Sequence, residues 1–349
     1  MHDLSLQQLR HNRQQMLVLI GLSLATFVLA IVAMGFGSST NLDFITSLKI
    51  LIGLEDSTEL QSNILWQLRF PRILMAIVGG ASLAMAGAMM QGCLGNPLVS
   101  PLTLGVASGA ALGAAIAIVL GLSIVAIPEL AIVANAFLFS LIVVFIIIQL
   151  ANIRSVSKES YILIGIAITF IAGAIVSTMQ YFATDAQLSQ LAHWSFGSFS
   201  RPDLENVAFI ALAVIILFPS GLKSAWDLNA LSIGGDDFAI STGVNPAEVR
   251  KRILVVAALM TSVVIAFTGM IGFVGLAAPH MSRLVIGNDY RKLIPCAALS
   301  GALLALFADT IGRTLFAPVI IPVGVTLSVI GGPFFMYLLL SKRLSLIHI

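Results

Sequence analysis

Charge is what this sequence lacks most. Only 10% of its 349 residues are Asp, Glu, Lys or Arg, where a soluble domain carries roughly 25%. A water-facing globular fold is therefore excluded. Cysteine is almost missing: Cys93 and Cys296 sit in or beside apolar runs, in no ligand or disulfide spacing, and read as small core residues. No G-x-x-x-x-G-K-[ST] stretch occurs, which excludes that way of cradling nucleotide phosphates. H-E-x-x-H and G-x-S-x-G are absent too, so nothing supports an intramembrane enzyme. Acids within the apolar runs are scarce. Asp309 alone lies well inside one, too little for an ion- or proton-coupled carrier. A cleavable signal peptide is not expected, because the first apolar run, 16–36, is too long and lacks the small-residue cleavage pattern.

What is present is 58% hydrophobic residues, grouped in runs close to the ~20 residues that span a bilayer. Ten spans are expected, at 16–36, 70–91, 101–121, 129–150, 158–182, 206–222, 249–271, 273–287, 292–312 and 322–341. With the N-terminus inside, thirteen of the eighteen basic residues fall on the cytoplasmic side. These are Arg10, Arg13, Arg154, Lys158, Lys223, Arg250, Lys251, Arg252, Arg283, Arg291, Lys292, Lys342 and Arg343, whereas Lys49, Arg69, Arg72, Arg201 and Arg313 fall outside. That bias places both termini in the cytoplasm. The fold class is an all-α polytopic membrane protein with about ten transmembrane helices. It is expected as one domain over 1–349, with halves 16–222 and 249–341 joined by a cytoplasmic loop 223–252. Arg72-Ile73-Leu74 and Arg252-Ile253-Leu254 each open a span that runs to a Gly/Pro-rich break, near Gly95–Pro101 and Gly275–Pro279. The two spans run in opposite directions, the pattern of an inverted repeat. Ala76, Gly80, Ala84 and Ala88 form a small-residue face suited to close helix packing.

The 223–252 interval is polar in an otherwise apolar chain. It reads as two short helices, Leu228–Ile233 and Asp236–Thr242, around a Gly234-Gly235 turn, the second closed by Gly243. Asn245-Pro246-Ala247-Glu248 then opens a long helix, with Asn as cap, Pro at the first position and Glu placed to reach back. The interval fits either a docking surface or a plain solvated connector. Arg69, Arg72 and Arg313 stand outside against the charge bias. They fit either interfacial snorkelling or a rim of guanidinium groups awaiting carboxylates on an external partner, with Asp309 one turn before Arg313 as a local neutraliser. Asn96-Pro97-Leu98-Val99-Ser100-Pro101 interrupts helical bonding at the inner end, where irregular backbone lines a cavity or is buried in protein. His280, beside Pro279, invites a ligand or proton-relay role, but a structural hydrogen bond is the expected one.

In order and spacing these pieces resemble the FecCD-type permeases of type II ABC importers, which serve iron–siderophores, haem and vitamin B12. The marks are R-F-P-R at 69–72, G-x-x-M-Q at 87–91, N-P-L-V-S-P at 96–101, L-G-V-A-S-G-A at 104–110 and H-W-S-F-G-S at 193–198. L-S-I-G-G-D-D-F-A at 231–239, G-F-V-G-L-A-A-P-H-M-S-R at 272–283, A-D-T-I-G-R at 308–313 and I-P-V-G-V at 321–325 follow. The likeness covers about 62–343; the tail 344–349 has no counterpart. The resemblance implies a fold like the vitamin B12 importer permease, a dimer with a second permease subunit, two ATPase subunits and an extracytoplasmic substrate-binding protein. It implies a multi-pass location in the bacterial inner membrane, ATP and Mg bound by the partner ATPase and no cofactor by this chain, and no nucleic-acid partner. It assigns ATPase coupling to Leu231, Gly234, Gly235, Asp236, Asp237, Ala239 and Gly243, and binding-protein docking to Arg69, Arg72 and Arg313. The cytoplasmic gate falls on Asn96, Pro97 and Leu98, and the pathway lining on Gly165, Ile166 and Ala167. Asp236 stands one position later than the family's usual Glu. The expected cargo is a ferric siderophore or similar chelate, with haem, cobalamin or molybdate as alternatives.

Overall fold

The structure, a computed structural model, describes residues 2–37, 42–153 and 158–347. Arg154, the side chains of Arg10, Lys342 and Arg343, and the end of the tail at 348–349 lie outside the described residues. Among those described the chain is all-helical. In order the helices are α1 (His2–Gly35), α2 (Phe44–Leu51), α3 (Glu59–Asn63), α4 (Phe70–Leu94), α5 (Val106–Leu120), α6 (Pro128–Ile153) and α7 (Lys158–Phe182). They continue as α8 (Asp185–Ser195), α9 (Leu204–Lys223), α10 (Ala225–Ser241), α11 (Pro246–Thr268), α12 (Val274–Ile286), α13 (Tyr290–Thr314) and α14 (Val323–Ile347). Each of the ten expected spans is occupied by a helix, and among the described residues seven helical stretches are long and apolar enough to cross a bilayer. A π-helical turn, Ile64–Arg69, joins α3 to α4 without a break.

Helix α4 is the centre. It is buried on nearly every face, against α13, α11, α12 and α9, because its small residues let neighbouring backbones close in. A Cβ on Gly80 would overlap the Gly301 carbonyl of α13, and one on Gly301 would overlap Ala84. The small-residue face is therefore packing. Across the other side, Ser82 Oγ donates to the Met260 carbonyl at 2.8 Å, and Arg250 Nε donates to the Cys93 carbonyl at 3.0 Å. The end of α4 thus meets the start of α11, so the two helices run antiparallel.

The second helix break is not at Gly275–Pro279. It falls at Gly269–Phe273, where Gly269 has φ +77° and Phe273 φ +69°, while Pro279 lies inside α12. Gly269 supplies a backbone conformation open chiefly to glycine. Pro279 frees the Gly275 carbonyl four residues earlier, and that carbonyl presses on the bare Cα of Gly87 in α4. Close support from α4 lets the helix pass through its proline. At 13 residues, α12 is about 20 Å long, too short to cross alone.

The helix ends collect into two polar faces. One gathers the starts of α11 and α13 and the ends of α4 and α12, with Gln15 of α1 donating to the Ile286 carbonyl. The other gathers the starts of α4 and the ends of α1 and α13. The described residues expected on the cytoplasmic side that make contacts here, among them Arg250, Arg283 and Lys292, all lie on the first face.

Candidate functional site

The polar interval becomes one kinked helix. α10 begins at Ala225, before Leu228, and turns at Gly235 with φ 71° and ψ −157°, so the Gly-Gly break stands where the sequence puts it. Gly243 adopts φ +84°, and Asn245 Oδ1 accepts from the Ala247 and Glu248 amides to start α11. Glu248 makes no reach-back bond among those of the described residues.

Three polar ties hold α10 to the bundle. Asp227 pairs with Arg252. Asn229 donates to Asp289 at 2.8 Å and accepts from the Tyr290 amide at 2.8 Å. Asp236 takes both arms of Arg250, whose Nη1 lies 2.9 Å away. Arg291 bonds Asp289 and covers the Trp226 ring at 4.4 Å. The Arg291 side-chain bonds pull the Asp289 carboxyl down to about 2, and the Arg250 bond lowers Asp236 likewise.

These ties decide which residues face outward. Leu231 and Ala239, expected to touch an ATPase, are buried and serve as anchors, because the Asp227, Asn229 and Asp236 ties turn their side of α10 inward. Gly234, Asp237 and Gly243 remain exposed. Sequence reasoning missed Ile233 (74% exposed), Phe238 and Ile240, large apolar side chains on the outer face of a polar segment. The signal was available in their presence within a charged interval.

Arg250 links α10 to the expected gate. Its third bond, to the Cys93 carbonyl, grips the last turn of α4, from which Gly95 turns left-handed into Asn96. Asn96 Oδ1 accepts from the Leu98 amide at 2.9 Å and fixes the turn, leaving Leu98 half-exposed. Asn96 and Pro97 line one cavity of about 680 Å³ together with Leu231, Ile233 and Gly235. Gate and coupling residues, 135 positions apart between Asn96 and Leu231, are thereby brought together. His280, mostly buried, lines the same cavity. Gly165, Ile166 and Ala167 do not share one surface. Gly165 is pressed against the Leu104 backbone beyond the gate loop, while Ile166 and Ala167 lie on the exposed face of α7.

At the opposite end the three outer arginines are buried, 5%, 7% and 3% exposed for Arg69, Arg72 and Arg313. Arg69 donates to the Met34 and Gly35 carbonyls at 2.6 and 3.2 Å and to Ser47 Oγ at 3.2 Å. Arg313 donates to the Phe36 carbonyl at 2.7 Å and to that of Ala33. The orphan carbonyls at the end of α1 thus find their donors in the π-helical turn before α4 and in α13. Arg72 forks onto Asp309, at 2.9–3.0 Å, and the Arg313 Nε sits farther off, at 3.8 Å. The picture of free guanidiniums is corrected: charges this deep require partners within the chain, and the arginines build the rim instead. They still line a shared depression of about 260 Å³. No group of three His, Cys, Asp or Glu suited to a metal occurs among the described residues.

The FecCD transport family matches residues 22–341. The hemin transport system permease protein HmuU of Yersinia pestis is 38% identical over 279 residues, 79% of this chain and 83% of that protein. The Fe(3+)-citrate import system permease protein YfmE of Bacillus subtilis is 34% identical over 339 residues, 95% and 96% of the two chains. A solved inward-facing structure, assigned to the metal-chelate type of ABC transporter, superposes with a TM-score of 0.81 at 30% identity, covering 93% of this chain and 99% of its own. Matches that run through both helix breaks, the α10 segment and both polar faces establish that this chain belongs to the FecCD transport family of membrane permeases.

Proposed function

We propose that this chain is the membrane-spanning subunit of an ATP-driven importer that moves a ferric siderophore or similar metal chelate inward by alternating access. One observation carries the reading: α10, with Ile233, Phe238 and Ile240 outward, is tied through Arg250 to the α4 turn that starts the Asn96–Leu98 gate. An ATPase pressing on α10 would have a mechanical route to the gate. It moves the equilibrium only by fitting one gate state better than the other. The reading includes a second permease subunit, two ATPase subunits that hold ATP and Mg, and an extracytoplasmic binding protein meeting the arginine-built rim. Location in the bacterial inner membrane, with the α10 face and both termini cytoplasmic, completes it. The exposed α7 face, with Ile166 and Ala167, is placed along the pathway. Haem is the second cargo reading, favoured by the likeness to the hemin permease.

The test is vanadate-sensitive, ATP-dependent uptake in proteoliposomes holding this chain, its ATPase and its binding protein, against ferric siderophores, haem and cobalamin. Uptake of one chelate, lost in Ile233→Asp/Ile240→Asp while the permease stays folded, is the expected result. Uptake driven by an ion gradient without ATP would instead make the chain a secondary transporter. Arg69→Glu is unsuitable as a docking control, since it would strand the carbonyls of α1.

A further inference from the structure

We propose that the cavity between the gate loop, α10 and α12 is a phosphate site, taking inorganic phosphate or the phosphate of an anionic lipid headgroup. The inference does not depend on the importer reading. The cavity, about 680 Å³, is lined by Lys158, His280 and Arg283 and by no Asp or Glu. Neither Lys158 nor Arg283 forms an ion pair among the described residues. Arg283 donates to the neutral Gln91 Oε1 and Tyr290 hydroxyl rather than to a carboxylate. The acid nearest in effect is Asp236, and both its oxygens are held by Arg250. A guanidinium fixed by two neutral partners still presents N–H groups, and the Lys158 ammonium stands beside the loop glycine Gly95. Fork and point charge together suit a tetrahedral oxyanion. The walls add neutral donors in Asn96, Ser232 and Asn288. An occupant would bridge α7 and α12 beside both gate and α10, and so bias their relative position.

The full-length chain in phosphatidylcholine nanodiscs would be titrated with radiolabelled orthophosphate. In parallel, nanodiscs containing one part in four phosphatidylglycerol would be examined by native mass spectrometry for retained anionic lipid. Saturable orthophosphate binding identifies the free anion, and retained phosphatidylglycerol identifies the headgroup. In either arm Lys158→Gln, which removes no ion pair among the described residues, is expected to weaken binding by at least about tenfold, the effect of one charge-assisted hydrogen bond. Arg283→Gln is expected to weaken it further, with the melting temperature recorded for both variants. Binding in neither arm overturns the proposal. Binding that both variants leave unchanged while folded overturns it equally.

Discussion

Replacing Arg250 by lysine should uncouple this protein without unfolding it. Arg250 holds two oxygens of Asp236 and the Cys93 carbonyl with one planar fork. An ammonium is a point charge that reaches one of those partners but not both, so two bonds are lost. Buried bonds to charged groups contribute about 1.5–3 kcal/mol each, but the Asp236 side chain is 46% exposed, and screening lowers that pair to about 1 kcal/mol. The tie between α10 and the gate turn is therefore weakened by about 2–3 kcal/mol, a shift of about 30- to 150-fold in its held-to-released ratio. The assay is cargo moved per ATP hydrolysed in proteoliposomes. Hydrolysis should stay within about twofold of wild type while cargo per ATP falls at least about tenfold. An Arg250→Lys/Asp236→Asn cycle should show the pair to be non-additive. Wild-type stoichiometry in Arg250→Lys would refute the reasoning, and so would a parallel fall in transport, hydrolysis and melting temperature.

Three further outcomes are expected. Asp309→Asn leaves Arg72 and Arg313 buried without their counter-charge and should cost about 3–5 kcal/mol, with much of it recovered in Arg72→Leu/Asp309→Leu, as read from denaturation of the purified chain. Gly87→Ala drives a Cβ into the Gly275 carbonyl and should separate α4 from α12, lowering stability by about 1–3 kcal/mol or more, while Gly173→Ala, with open space around it, should be silent. A lowered carboxyl pKa gives stability that is complete above the unfolded value of about 3.9 and lost as pH falls toward the folded one. With Asp289 near 2 and Asp236 lowered, hydrogen-exchange protection of 225–241 should hold from neutral pH down to about 5 and fall only below about 4. Loss near pH 6 would assign the control to an imidazole instead.

How much was legible follows the range of the forces involved. The helices within the ten expected spans, the Gly235 kink, the Gly243 turn and the Asn245 cap are local matters of hydropathy, backbone freedom and capping, and each stands where the sequence puts it, though α12 is too short to cross alone. The second break was misplaced because proline looks locally like a terminator. Only the contact of Gly275 with Gly87, distant in sequence, lets α12 continue through Pro279. The in-chain partners of the outer arginines were illegible for the same reason. Their acceptors at Ala33–Phe36 belong to another helix, and no spacing along the chain announces them.

The sequence by itself thus determined that the chain lies in a bilayer, roughly where its apolar helices run, and which short segment is polar enough to meet water. These follow from solvation and backbone geometry within a few residues. The tertiary structure decided which charges are spoken for, which face of α10 is free, and that Arg250 joins that helix to the turn at Asn96–Leu98. Those are properties of partners brought together from far along the chain, where burial fixes whether a polar group is a contact for others or a tie within the fold.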